Sequence, residues 1–314
     1  MSKHISVLLN ESIDNLNIKE DGIYVDCTLG YGGHSSQILK RITRGCLFAF
    51  DQDGEAIEYS RRILDQISNN YEIINSNFVN IKSELSKRNI SKVDGILFDL
   101  GVSSPQLDEA ERGFSFHNDS KLDMRMNQNQ SLSAYEVVNN YSESDLTKIF
   151  YEYGEEKYSK QIAKGIVKAR EEKKIETTLE LVEIIKNNVP ERYKRDHHPA
   201  RKVFQAIRIE VNDELNVLKK ALVDGIDLLN VGGRMCVITF HSLEDRIVKN
   251  IFKENSEIEK IYKGLPIVPE EKQAKVKIIG KFKPTKEELD NNNRSRSSIL
   301  RVIEKVKEWY YGKE

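Results

Sequence analysis

Four polar residues stand at or just beyond the ends of apolar, strand-like runs, and their types suit group transfer. Asp26 lies near the end of the run Ile23 to Thr28 and leads into Leu29-Gly30-Tyr31-Gly32-Gly33-His34. Asp51 follows the run Leu47 to Phe50, Asp99 lies in the run Ile96 to Leu100, and His241 follows Met235 to Phe240. A strand, a glycine-rich turn and a helix make a nucleotide-type site, because glycine lets the backbone approach a ligand and tolerates positive φ. Gly-x-Gly is common by itself, and the spacing here is not the full dinucleotide fingerprint. Asp26 is placed to face the ammonium of a methionine moiety, whereas it would repel a pyrophosphate. Asp51 lies 21 residues beyond Gly30, near the spacing at which an acid accepts both ribose hydroxyls. S-adenosylmethionine is therefore the expected ligand, with a dinucleotide and a purely structural turn as the alternatives.

The remaining candidates extend this crevice. Phe78, after the run Tyr71 to Ile74, suits either an adenine face or the core. The segment Asp99-Leu100-Gly101-Val102-Ser103-Ser104-Pro105-Gln106-Leu107-Asp108 places polar groups at a strand's carboxyl end, where open α/β sheets bind ligands. Methyl transfer to an exocyclic amine needs an acceptor for an N–H hydrogen, since the lone pair is delocalised into the ring. Asp99, with Ser103, Ser104 or Gln106 nearby, is a candidate for that task; the alternative for Asp99 is a loop cap. His241 is a candidate donor to a base or proton relay, or else a structural hydrogen-bonding group.

These residues need a parallel sheet to gather them. Strand and helix signals alternate over the first hundred residues, which points to right-handed crossovers. After Pro105 the segment 106–130 reads as polar loop, followed by about seventy helical residues. Thr177-Thr178-Leu179-Glu180 reads as a capping box. Pro199 sits where a helix starts, and Phe204, Ile207, Val211, Leu215, Leu218 and Leu222 predict one long helix, ended by Gly232-Gly233. Ser242 is the expected cap of the next helix, and strands are expected at Val276–Phe282 and Ile299–Ile303. The expectation is a seven-stranded α/β sheet drawn from both ends of the chain, residues 1–106 and 209–314, interrupted by a helical insertion at 107–208.

Composition narrows the class. Of 314 residues, 39% are hydrophobic and 32% charged, and the formal net charge is −1; this is an ordinary folded composition and not that of a protein coating naked nucleic acid. No apolar run is long enough to span a bilayer, and residues 1–10 lack the features of a secretion signal, so a cytoplasmic location is expected. Three cysteines without a Cys-x-x-Cys are expected to be reduced thiols. The stretch from Arg192 to Lys202, with Arg195, His197, His198 and Arg201, reads either as an RNA-backbone patch or as a solvated face. Arg125, between Met124 and Met126, and Arg294 and Arg296 in a basic linker are further RNA-binding candidates. His197, His198 and His117 match no common metal spacing, and no metal is expected.

Several longer motifs, in order, carry a resemblance that runs nearly end to end. They are His4-Ile5-Ser6-Val7-Leu8-Leu9, Gly30-Tyr31-Gly32-Gly33-His34-Ser35, the block from Asp99 to Asp108, Glu111-Arg112-Gly113-Phe114-Ser115-Phe116, Leu122-Asp123-Met124-Arg125-Met126, Phe204-Gln205-Ala206-Ile207-Arg208, Phe240-His241-Ser242-Leu243-Glu244-Asp245-Arg246 and Arg294-Ser295-Arg296-Ser297-Ser298. Together they resemble the MraW (RsmH) family of bacterial 16S rRNA methyltransferases. The resemblance implies a Rossmann-like class I S-adenosylmethionine methyltransferase sheet with an inserted helical domain. It implies methylation of the N4 amine of a cytidine in the decoding centre, near the P site. It further implies cofactor contacts at Gly32, Gly33, His34, Asp51, Phe78, Asp99 and Gln106. The implied partner is 16S rRNA in the small ribosomal subunit or a late assembly intermediate, with a second copy of the chain as a further candidate and no membrane. The segment after Asp99 departs from the Pro-Pro-aromatic element of DNA amino-methyltransferases, so their base-holding geometry does not transfer. A small-molecule methyltransferase, a non-enzymatic assembly factor and a nicotinamide enzyme are the competing readings.

Overall fold

The structure, a computed structural model, describes residues 6–102, 106, 110–196, 198–258, 260–262, 269 and 272–307. Two compact units emerge: residues up to 101 together with those from 215 onward, and residues 102–214.

The first unit is built on seven strands: β1 (Ile23–Asp26), β2 (Cys46–Asp51), β3 (Tyr71–Asn75), β4 (Val93–Asp99), β5 (Leu229–Thr239), β6 (Val276–Phe282) and β7 (Ile299–Lys305). Their order is β3-β2-β1-β4-β5-β7-β6. β1 to β5 run parallel, and β7 lies antiparallel between β5 and β6. The order reverses between β1 and β4, which makes the carboxyl ends of those two strands the switch point at which such sheets bind ligands. This is the Rossmann-like α/β sheet expected from the sequence.

Strand alternation builds two cores. Phe48, Phe50, Ile96, Phe98, Met235 and Val237 face one layer of helices, while Leu47, Ala49, Leu97, Cys236 and Ile238 face the other. Around the sheet lie α1 (Leu9–Leu16), α2 (Gly33–Leu39), α3 (Gly54–Leu64) and α4 (Ile81–Lys87). All three cysteines are unpaired.

The second unit holds α5 (Ala134–Asn140), α6 (Glu143–Glu152), α7 (Ser159–Glu172), α8 (Thr178–Asn187), α9 (Glu191–Asp196) and α10 (Ala200–Asn212). Its core is separate, with Phe150, Ile162, Ile166, Leu181, Ile185, Phe204 and Ile207 among its members. Thr177 and Glu180 form the expected capping box. Residues 106 and 110–130 are mostly irregular, tied to the helices by bonds such as Met126 N–H to Asn212 Oδ1 at 2.8 Å.

Three local expectations are corrected. The single long helix is two, α10 and α11 (Glu214–Leu228), because Asp213 takes a left-handed conformation with φ 49°. The apolar stripe continues across the break, but Phe204, Ile207 and Val211 belong to the second unit's core and Leu218 and Leu222 to the sheet's. Gly232 and Gly233 do not end the helix; they lie inside β5. The register there jumps from Val93↔Leu229 to Gly95↔Arg234, and Gly232, with φ +82°, supplies the positive φ of this irregularity. Finally, the helix α12 (Ser242–Ser256) is capped by His241, not Ser242: the imidazole accepts from the Glu244 N–H.

Among the described residues no helix is long and apolar enough to cross a membrane. Leu222, fully buried between α11 and the sheet, tests the packing of that layer. Leu222→Ala is expected to cost about 2–5 kcal/mol, read as a lower urea-unfolding midpoint.

Candidate functional site

β1 runs into a turn that only a few residue types permit. Gly30 and Gly32 have φ of +50° and +75°, and Gly32 is the residue that caps α2. A Cβ on Gly33 would stand 1.9 Å from Ser6 Oγ. Glycine is therefore required at 30 and 32 for the backbone conformation and at 33 for close packing on Ser6.

Asp26 lies beneath the turn, fully buried. Its Oδ1 accepts from the Thr28 N–H at 3.0 Å and from Thr28 Oγ1 at 3.4 Å, and its Oδ2 accepts from Ser35 Oγ at 2.6 Å. Burial raises its pKa, partly offset by the Ser35 and Thr28 bonds. Thr28 also reaches the neighbouring strand, since its Oγ1 accepts the Asp99 N–H at 2.6 Å. The ends of β1 and β4 are thus joined through one hydroxyl.

Asp51 closes the next side. Its Oδ2 accepts from the Gly30 N–H at 2.9 Å, and its Oδ1 from the Asp53 N–H at 2.9 Å. Burial pushes its carboxyl up to about 6, against the pull of those two amides. Across the turn, α3 contributes Ser60, whose hydroxyl donates to the Gly30 carbonyl at 2.6 Å, and Tyr59, whose ring lies 4.1 Å from that of Tyr31.

Asp99 ends β4. A quarter of its side chain is exposed, and Oδ2 faces His34 Nδ1 at 3.6 Å, beyond ordinary hydrogen-bond length. Its Oδ1 is buried and makes no hydrogen bond among the described residues. Burial, then the negative charges of Asp26 and Glu244, raise its pKa well above the usual carboxylate range. Phe78, half-buried in a 3₁₀ turn at Phe78–Asn80, packs edge-on against Phe98 with centroids 5.5 Å apart. His241, next to the end of β5, holds Nε2 3.0 Å from Glu244 Oε1, while Glu244 Oε2 accepts from the Phe240 N–H at 2.8 Å.

The sequence-derived candidates Asp26, Gly30, Gly32, Gly33, His34, Asp51 and Asp99 are thus brought to one edge of one sheet. Gln106 is buried in the second unit. Ser103, Ser104 and His197 lie outside the described residues. Arg125 is held internally: its guanidinium clasps Asp123 with two 2.8 Å bonds and donates to the Gln130 carbonyl at 2.8 Å. Arg195, Arg201, Arg294 and Arg296 are exposed, and His198 is half-buried. Sequence reasoning passed over Thr28, Ser35, Ser60 and Glu244 as site residues. Glu244 was detectable, since His241 and Glu244 stand at the first and fourth positions of a capping box.

Sheet order, glycine turn and clustered carboxylates define a class I methyltransferase. The sequence model of the MraW methylase family matches residues 1–306, and the chain belongs to that family. It is 56% identical over 311 residues to ribosomal RNA small subunit methyltransferase H of Exiguobacterium sibiricum, covering 98% of this chain and all of that one. The crystal structure of an rRNA methylase from Streptococcus thermophilus overlaps with a TM-score of 0.44 at 14% identity, over 98% of this chain and 99% of that one.

Asp26 is the structural anchor of the turn. Asp26→Ala would leave the Ser35 hydroxyl and the Thr28 amide without their buried acceptor and is expected to cost about 3 kcal/mol. Ser35→Ala, which removes one donor, is expected to cost about 1 kcal/mol; thermal unfolding of the two variants checks the difference.

Proposed function

We propose that the chain transfers the methyl group of S-adenosylmethionine to the N4 amine of a cytidine in the decoding centre of 16S rRNA, in the small ribosomal subunit or a late assembly intermediate, in the cytoplasm. The observation that carries this reading is the buried Oδ1 of Asp99, which makes no hydrogen bond among the described residues, at the switch point of the sheet beside the glycine turn. It is an acceptor at the place where an amine must be held.

The residues fit the donor. No cationic side chain contributes to the pKa shifts of Asp26, Asp51 or Asp99, so the site favours a ligand carrying positive charge, such as an ammonium or sulfonium. The same charge opposes a pyrophosphate. When bound, the donor supplies an electrophilic methyl on a sulfonium. Gly30, Gly32 and Gly33 hold the backbone open to its methionine end, with Asp26 below. Asp51 would accept from the ribose hydroxyls, and Phe78 would pack on the adenine. His34 and Gln106 complete the contacts. Asp99 accepts an N–H of the target amine, draws it out of conjugation and fixes it in line for displacement. Ser103 and Ser104 are candidates to assist it. His241, its orientation fixed by Glu244, is placed to meet the base. Transfer would break the donor's methyl C–S bond, leaving a neutral thioether, form the N–C bond, and release one amine proton to solvent. Arg195, His197, His198, Arg201, Arg294 and Arg296 are the proposed RNA contacts, with Arg125 ordering the loop that carries it.

The deciding assay mixes the protein and labelled S-adenosylmethionine with small subunits from cells lacking this enzyme, followed by nuclease digestion and mass spectrometry. An N4-methylated cytidine in the decoding centre is expected; an unlabelled particle despite intact donor binding would refute the substrate. In the same assay Asp99→Ala is expected to lower single-turnover transfer by at least about a hundredfold while donor binding persists.

Asp51 gives the pH dependence. Its ionised form accepts from both ribose hydroxyls, and protonation removes that capacity. Donor affinity is therefore expected to be constant well above pH 6 and to fall as pH drops through about 6. Asp51→Asn should bind more weakly throughout and lack the step, as calorimetric titrations at several pH values would show.

A further inference from the structure

The second unit carries an aromatic cluster that the roles above leave unused. The Phe116 ring meets two imidazoles in a triangular cluster, nearly parallel to His198 at 4.5 Å and 24°, and 4.4 Å from His117 at 47°. The imidazoles are 5.5 Å apart, and Phe204 supports Phe116 edge-on at 5.7 Å. Phe204 is a core residue, but His117 is exposed and Phe116 and His198 are only half-buried. Burial, then the proximity of His117 and Lys186, lower the His198 pKa, which favours the neutral ring. The same stretch of chain is rich in cations: residues 191–202 contain Arg192, Lys194, Arg195, Arg201 and Lys202 against only Glu191 and Asp196. Arg192, Arg195 and Arg201 are exposed and form no ion pair among the described residues.

Exposed guanidinium groups and aromatic faces on neighbouring residues are the two parts of single-strand RNA recognition. Charge holds the backbone, and a π-face takes a splayed base. An acidic peptide would engage the arginines and leave the rings without a task. We infer that Phe116, His117 and His198 form a stacking platform for one unpaired nucleobase of the RNA substrate, with Arg195 and Arg201 on the adjoining phosphates. This rests on the RNA substrate proposed above.

The test is the steady-state kinetics of methyl transfer to small subunits. Stacking of this kind is lost on truncation to alanine, so His117→Ala is expected to raise KM for the particle about tenfold. kcat and the donor dissociation constant should change less than about twofold. His117→Tyr, which restores a ring, should return KM close to the native value. An unchanged KM in His117→Ala, or equal impairment in both variants, overturns the inference. Ultraviolet crosslinking of the native protein to the particle supplies an independent readout. A nucleotide adduct on the peptide bearing Phe116 and His117 supports the platform, and a crosslink from that peptide to a ribosomal protein overturns it. If the native protein methylates no RNA, the substrate reading falls and the platform with it; if RNA is methylated and KM does not move, only the platform falls.

Discussion

Three carboxylates gathered at one edge of the sheet, with no lysine or arginine paired to them among the described residues, are the constraint on which the site depends. Asp26, Asp51 and Asp99 terminate β1, β2 and β4, and each is held in a partly or wholly dry environment that disfavours its charge. The fold meets this with hydrogen bonds instead of ion pairs. Amides of the turn point at Asp51, the hydroxyls of Ser35 and Thr28 at Asp26, and Thr28 passes the link on to the Asp99 amide. The glycine conformation, the start of α2 and the alignment of two strands all follow from satisfying those acids. Only Asp99 retains an oxygen without a hydrogen bond among the described residues, and that is the atom on which the proposed chemistry turns.

The parallel sheet was legible because its signals are short-ranged. Apolar runs of strand length ending in Asp26, Asp51 and Asp99 marked both the elements and their functional ends. The glycine turn was legible because few other residues tolerate its backbone. Family resemblance then added what spacing does not encode, such as the cofactor contact it implies at His34. What was hidden depended on three-dimensional context. The break at Asp213 is invisible to a periodicity argument, since the apolar stripe stays in phase while serving two different cores. Gly232-Gly233 matched a helix stop as well as it matched an irregular strand. Thr28 and Ser35 carry no signal of their own, for small hydroxyls are common in turns, and only burial of the acid they serve makes them important.

The two units use opposite strategies toward charge. In the sheet, acids are buried and satisfied by neutral donors. In the helical unit, buried polar groups are clamps, as where Asn139 binds both the N–H and the carbonyl of Ile175, while Arg192, Arg195 and Arg201 stay exposed. A chain whose net charge is near zero can therefore hold a cluster of buried acids in one unit and exposed arginines in the other. A net charge of −1 is compatible with a local basic patch, because acids elsewhere offset it in the sum.

The strand order also has a consequence for how the molecule comes into being. The carbonyl of Ser12 meets the Cys236 thiol, Asn15 meets Arg234, and the Leu8 amide is held by Glu288 across 280 residues of chain. β5, which pairs with β4, is synthesised only after the whole helical unit. Contacts so distant in sequence are slow to form. During translation β1 to β4 must wait with β4's edge and the docking face of α1 uncovered. The helical unit, whose core is drawn from one continuous stretch, has no such wait. The nascent chain thus carries a finished middle before its sheet can close, and closure reports that β5 to β7 have all been made.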